Sequence, residues 1–199
     1  MVGARQDLQR AVHELAYRQA GYFTAAQALA AGYSYQAQKH HADTGNWIRV
    51  DRGIFRLPGW PAEPEDVYVR WALWSRGRGV ISHESALALH GLSDVNPRRI
   101  HLTVGPDFHA RDDAVVLHVA DLRSDEVDAR GSWSLTTVER TLADVARELE
   151  QELLVGAVRD ALASGRITRR RLLRLTSGLE DRAALRLERA LTEVSESSE

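Results

Sequence analysis

The spacing of apolar positions changes several times along this chain, and each change marks an element. Leu8, Val12, Leu15 and Ala16 recur at the period of one helix face over Gln6–Gln19. Thr24, with Gln27 three residues on, is a capping box, so a short helix is predicted from Ala25 to Ala31. Gly32 suits the left-handed residue after its last turn, and Ser34 is a second N-cap. A second helix, Tyr35 to about Thr44, therefore follows after a very short turn and ends at Gly45. Trp47–Val50 then alternates as a strand, Asp51-Arg52-Gly53 supplies turn chemistry, and Ile54–Leu57 returns until Pro58 stops the pairing. Cap, helix, turn, helix and hairpin in that order predict a winged helix-turn-helix, with the hairpin as the wing.

Beyond it, the segment Pro58–Pro64 holds three of the five prolines and is the expected linker. The predicted domains are residues 1–60, a winged helix-turn-helix, and residues 61–195, with 196–199 as a tail. Val67, Trp71 and Trp74 mark a buried helix face closed by Gly77 and Gly79. Ser82 is read as the N-cap of a short helix through His90, closed by Gly91. Arg99–Val104 and Ala114–Val119 are read as strands, and a strand from Trp133 runs into a capping box, Thr136-Thr137-Val138-Glu139. The helix after it carries Val138, Leu142, Val145, Ala146 and Leu149 as an apolar stripe, and helices are expected over 151–163, 169–176 and 181–194. The fold class is α+β: a winged helix followed by an α/β domain with a small sheet and a helical C-terminus.

Charge sharpens this division. The formal net charge is −2 and the pI about 6.5, which by itself gives no sign of a nucleic-acid partner. Residues 1–60, however, hold seven basic and four acidic side chains, so this segment is +3 and the remainder −5. The second helix has no large aliphatic residue. Its Gln36, Lys39, His40 and Asp43 fall on one side, and Gln, Lys and His reach base edges or phosphates from a major groove. Asp43 is repelled by phosphate and belongs at the end pointing away. Arg49, Arg52 and Arg56 of the wing are the candidate backbone or minor-groove contacts. With so small a local charge, two copies on an inverted repeat, a dimer on DNA, are expected.

There is no cysteine, which excludes disulfides and thiolate chemistry, and no apolar run approaches the ~18 residues of a membrane span. The N-terminus lacks the apolar core of a signal peptide, so the expected location is the cytoplasm. His83, Glu84 and His90 do not form H-E-x-x-H, because Leu87 stands four after His83. His101 and His118 are expected near each other across two strands, but no acid–base pair or metal set is legible. The expectation is no enzyme, no cofactor and no metal. Arg166, Arg169, Arg170, Arg171 and Arg174 are the densest basic cluster, and two readings stand: a patch for nucleic acid or an acidic partner, or a solvated helix face beside Glu180 and Asp181.

Several motifs occur in one order: Gly21-Tyr22-Phe23-Thr24; Gly45-x-Trp47-x-Arg49-Val50-x-Arg52-Gly53-Ile54-Phe55; Ser82-His83-Glu84-Ser85-Ala86 leading to His90-Gly91-Leu92; and Thr137-x-x-Arg140-Thr141-Leu142-x-Asp144. Together they resemble the AbiEi family of type IV toxin–antitoxin antitoxins over roughly residues 5–150. The resemblance implies a bacterial DNA-binding transcriptional autorepressor that binds inverted repeats in its own promoter. It also implies a C-terminal domain that counters a nucleotidyltransferase-like toxin without a stable complex. Many relatives continue into a Vsr-like nuclease domain, from which this sequence departs. The alternative is a stand-alone winged-helix regulator whose C-terminal domain binds a ligand or a protein partner.

Overall fold

The Thr24 cap forms as its spacing requires: Gln27 N donates to Thr24 Oγ1 at 3.1 Å while Thr24 N donates to Gln27 Oε1 at 2.8 Å. Ser34 likewise accepts from Ala37 N at 3.2 Å. These contacts come from a computed structural model, which describes residues 2–196, with side chains from residue 6 onward. The C-terminal tail expected at 196–199 lies outside the described residues except for Glu196, which ends the last helix. The described chain falls into two compact units, one running to Gly77 together with Gly131–Trp133, the other Arg78–Arg130 with Ser134 onward.

The first unit contains α1 (Val2–Arg18), β1 (Tyr22–Thr24), α2 (Ala25–Ala30), α3 (Tyr35–Asp43), β2 (Ile48–Asp51), β3 (Ile54–Arg56) and α4 (Asp66–Trp74). The wing is a three-stranded antiparallel sheet in the order β1-β3-β2, with Phe23 opposite Phe55 and Arg49 also opposite Phe55. The third strand, β1, is only three residues long and is recognisable only by its partner more than thirty positions away. Phe23, Tyr33, Trp47, Phe55 and Leu57 join Val12, Ala16 and Ala28 in one core. Phe23 meets Trp47 edge to face at 4.8 Å, a favoured aromatic geometry. Gly21 is required where it stands: its φ is +83°, and a Cβ there would lie 2.5 Å from Trp60 Cγ.

The proline-rich segment Pro58–Pro64 lies inside this unit, which continues through α4. The reason is electrostatic. Arg56 of β3 bonds the Asp66 carboxylate at the start of α4, Glu63 N donates to the same Asp66 oxygen at 3.0 Å, and Asp51 of β2 pairs with Arg70 at 2.9 Å. On α4 the buried positions are Asp66, Val69, Trp71 and Ala72, whereas Val67 and Trp74 are half-buried.

The second unit contains β4 (Val80–Ile81), α5 (His83–Leu89), β5 (Ile100–Val104), β6 (Val115–Val119), β7 (Val127–Arg130), β8 (Trp133–Thr136, from Ser134 onward), α6 (Val138–Val145), α7 (Gln151–Ala163), α8 (Arg169–Thr176) and α9 (Asp181–Glu196). The sheet has five strands, ordered β6-β5-β4-β8-β7, with β4 antiparallel to β5 but parallel to β8, and β5 parallel to β6. The helices bury one continuous apolar cluster, including Leu87, Leu142, Leu154, Val158, Leu172, Leu187 and Leu191. Among the described residues no helix is long and apolar enough to cross a membrane.

Two expected caps are corrected. The cap of α6 is Thr137, whose Oγ1 accepts from Arg140 N at 3.4 Å; Thr136 Oγ1 is instead buried against Thr141 Oγ1 at 2.7 Å. Ser82 makes no cap bond to α5, because its buried hydroxyl accepts from Thr103 Oγ1 at 2.8 Å and lies 3.0 Å from His83 Nδ1. The α6 helix also stops at Val145, although Ala146 and Leu149 remain in the core as expected.

Candidate nucleic-acid interface

A helix without large aliphatic residues needs another anchor, and α3 has one in Gln38. Only 3% of this side chain is exposed, and its Nε2 donates to Ala25 O at 3.1 Å and Tyr33 O at 3.0 Å. Both acceptors lie outside α3, so one amide fixes the helix against the turn that precedes it. His41 adds a second anchor by stacking on Trp47 at 4.7 Å with planes 15° apart. Inward Gln38 and Ala37 leave Gln36, Lys39, His40 and Asp43 exposed on the other side, as the spacing predicts. Tyr35, absent from that predicted set, stands with them at the first position of the helix and is 68% exposed. Its signal was available: Ser34 as N-cap fixes Tyr35 in the first turn.

The wing is placed beside this helix in sequence by its own backbone bonds. Gly53 O in the turn accepts from Ala25 N at 2.8 Å, tying the wing tip to the start of α2. Arg52 at that tip and Arg49 on β2 are exposed, with the Arg49 guanidinium 5.3 Å from the Phe55 ring centre. Among the described residues neither they nor Lys39 form an ion pair. Arg56 differs. It bonds Asp66, donates from Nη2 to Pro61 O at 2.9 Å and from Nε to Ala20 O at 3.3 Å, and lies 4.8 Å from the Tyr22 ring centre. Arg56, expected as a nucleic-acid contact, thus differs from Arg49 and Arg52 in that its guanidinium bonds within the unit and holds β3 against α4. Arg70 holds the carboxyl of Asp51 below the usual carboxylate range by a hydrogen bond, partly opposed by burial.

In the basic cluster around α8, three of the five arginines have internal partners. Arg166 Nη1 donates to His90 O at 2.6 Å, Arg169 bonds Ser195 Oγ, and Arg171 pairs with Glu139 at 2.8 Å. Arg170 and Arg174 remain exposed, Arg174 facing a groove of about 830 Å³ that Arg140 and Asp144 also line.

The second unit also brings His101 and His118 together, with Nδ1 and Nε2 3.1 Å apart, and adds His83, whose ring stacks on His118 at 3.4 Å. Burial, then the neighbouring imidazoles, pushes His83 down to about 3 and His118 down to about 4. Asp144 stands 3.8 Å from His83 Nδ1 and is raised to about 6 by burial, against the pull of Arg140 at 2.7 Å. Near neutral pH this is a set of uncharged imidazoles beside one carboxylate. Among the described residues no group of three or more His, Cys, Asp or Glu is arranged to hold a metal ion.

A tri-helical core, an exposed polar second helix and a sheet-borne wing define a winged helix-turn-helix unit, followed in sequence by an α+β unit. Residues 10–58 match the family described as "Transcriptional regulator, AbiEi antitoxin", a span that covers α2, α3 and the wing and bears out the resemblance over the two N-terminal motifs. Over that segment, about a quarter of the chain, the sequence is thus similar to transcriptional regulators of the AbiEi antitoxin type. Among solved structures, the RV2827C protein from Mycobacterium tuberculosis is similar in fold, with a TM-score of 0.63 at 19% identity, covering 94% of this chain and 76% of that one. The comparison with curated proteins gives no match.

Proposed function

We propose that the chain is a sequence-specific DNA-binding autorepressor and the antitoxin of a type IV toxin–antitoxin operon, acting against a nucleotidyltransferase-like toxin. One observation carries the DNA half: Gln36, Lys39 and His40 stand exposed on one side of α3, and Arg49 and Arg52 stand exposed on the wing that follows and, among the described residues, form no ion pair. Helix residues enter the major groove and read base edges, with Gln36 pairing bidentately with adenine. The wing arginines neutralise phosphates or enter the minor groove, which fixes register without reading sequence. Asp43, one turn further along, keeps the C-terminal end of α3 away from the backbone. Two copies on an inverted repeat double the number of phosphate contacts, and the protein acts in the cytoplasm.

Competition binding to a duplex from the region upstream of the gene, against a scrambled duplex, tests this reading. Preference for the upstream duplex, reduced in Gln36→Ala and with affinity for both lowered in Arg52→Ala, is the expected outcome. Equal binding to both duplexes by the wild type contradicts it. Rescue of growth on co-expression with an adjacent nucleotidyltransferase-like gene tests the antitoxin half.

A second reading, a regulator whose C-terminal unit senses a ligand, is favoured by one feature. Asp144 borders the 830 Å³ groove with its side chain 7% exposed, and its Oδ2 has no hydrogen-bond partner. Absence of any toxin gene nearby would favour that reading over the first.

A further inference from the structure

Tyr35 is a large ring left in solvent, whereas Tyr33, two residues earlier, is buried in the core. Isolated exposed apolar groups are common and need no explanation by themselves. Position distinguishes this one. The Ser34 cap places Tyr35 and Gln36 in the first turn of α3, with Lys39 and His40 on the next turn of the same exposed side. The N-terminal residues of a recognition helix are those that meet base edges. Amide and cationic groups beside the ring supply polar readout and attraction to phosphate, and the ring supplies the one kind of contact they lack. In the major groove, the apolar feature that distinguishes one base from the others is the 5-methyl group of thymine.

Resting on the DNA-binding reading above, we propose that the Tyr35 ring packs against the methyl group of a thymine and sets a preference for thymine at one position of each half-site. The contact is made by the ring carbons, so the hydroxyl is dispensable. Tyr35 is thereby a specificity-determining residue, distinct in chemistry from Gln36 and from the wing arginines.

The test is selection of binding sites from a randomised duplex library by the wild type, Tyr35→Phe and Tyr35→Ala, each confirmed as folded by circular dichroism. The enriched thymine is then replaced by deoxyuridine, which removes only the methyl group. The wild type and Tyr35→Phe are expected to enrich the thymine and to lose about fivefold in affinity on the deoxyuridine duplex. Tyr35→Ala is expected to keep the rest of the consensus, lose the thymine preference and bind both duplexes equally. Retention of the thymine preference in Tyr35→Ala overturns the proposal, as does a Tyr35→Phe variant as impaired as Tyr35→Ala. Failure of the wild type to enrich any sequence overturns the base-reading function itself, an outcome separate from loss of the Tyr35 contact alone.

Discussion

Two sets of charged groups are placed differently: the exposed cations of α3 and the wing, and a set of arginines that brace the second unit. On α3 and the wing, Lys39, Arg49 and Arg52 stand in solvent and, among the described residues, form no ion pair. In the second unit, Arg123, Arg140, Arg147, Arg171 and Arg189 each pair with a carboxylate, and Arg186 donates to the backbone oxygens of Ala146 and Arg147 at 2.9 and 2.7 Å. Local charge density therefore does not by itself separate the two: in the denser cluster around α8, Arg166, Arg169 and Arg171 have internal partners, whereas Arg49 and Arg52 of the sparser wing form no ion pair among the described residues.

The largest effect should come from removing the open charges together. Lys39→Ala/Arg49→Ala/Arg52→Ala is expected to lose at least about 100-fold in affinity for any duplex at low salt, by fluorescence anisotropy, with unchanged thermal stability. An equal loss in a triple variant at Arg166, Arg170 and Arg171 would reverse the contrast between the units.

Arg56 is the exception within the wing, and it should behave like the paired arginines of the second unit. Arg56→Ala leaves the buried Asp66 carboxylate without its ion-pair partner, with only the Glu63 N–H bond remaining, and is expected to destabilise the first unit by about 3 kcal/mol in urea unfolding. Gln38→Ala leaves Ala25 O and Tyr33 O without this donor and should cost about 2 kcal/mol. A neutral result at Gln38 would mean that the His41–Trp47 stack alone anchors α3.

What was legible from sequence was whatever neighbouring residues decide. Thr24 with Gln27, Ser34, and the Asp51-Arg52-Gly53 turn each act within a few positions, and they fixed the helix-turn-helix and its hairpin. Partners far apart in sequence were hidden. β1 has only three residues and takes its identity from β3, and β4 and β7 are too short or too exposed to alternate. Asp66 lies beyond a proline-rich segment that reads as a linker, so nothing nearby marked Arg56 as paired. His101 and His118 were foreseen because adjacent strands bring them together, whereas His83 reaches them from another element.

The smallest expected effect concerns that histidine cluster. His83 and His118 have folded values of about 3 and about 4, below the ordinary 6.5, so the unfolded chain binds protons first as pH falls. Their stabilisation is complete above 6.5 and is lost progressively below it. Asp144 works the other way: raised to about 6 from 3.8, it takes up a proton in the folded state first, and so offsets part of that loss between 6 and 3.8. Asp144→Asn should therefore steepen the acid loss of stability between pH 6 and 4 by about 1 kcal/mol per pH unit. An unchanged profile in urea titrations at successive pH values would show that Asp144 does not share the proton balance of the cluster.

The most direct test of the central claim compares two arginines four positions apart. The dependence of duplex affinity on salt is measured for Arg52→Ala and Arg56→Ala, each at a temperature where it is fully folded. The account predicts that Arg52→Ala lowers the slope of log affinity against log salt by roughly 0.9, the value for one phosphate contact, while Arg56→Ala leaves the slope unchanged. A reduced slope in Arg56→Ala with none in Arg52→Ala would contradict it.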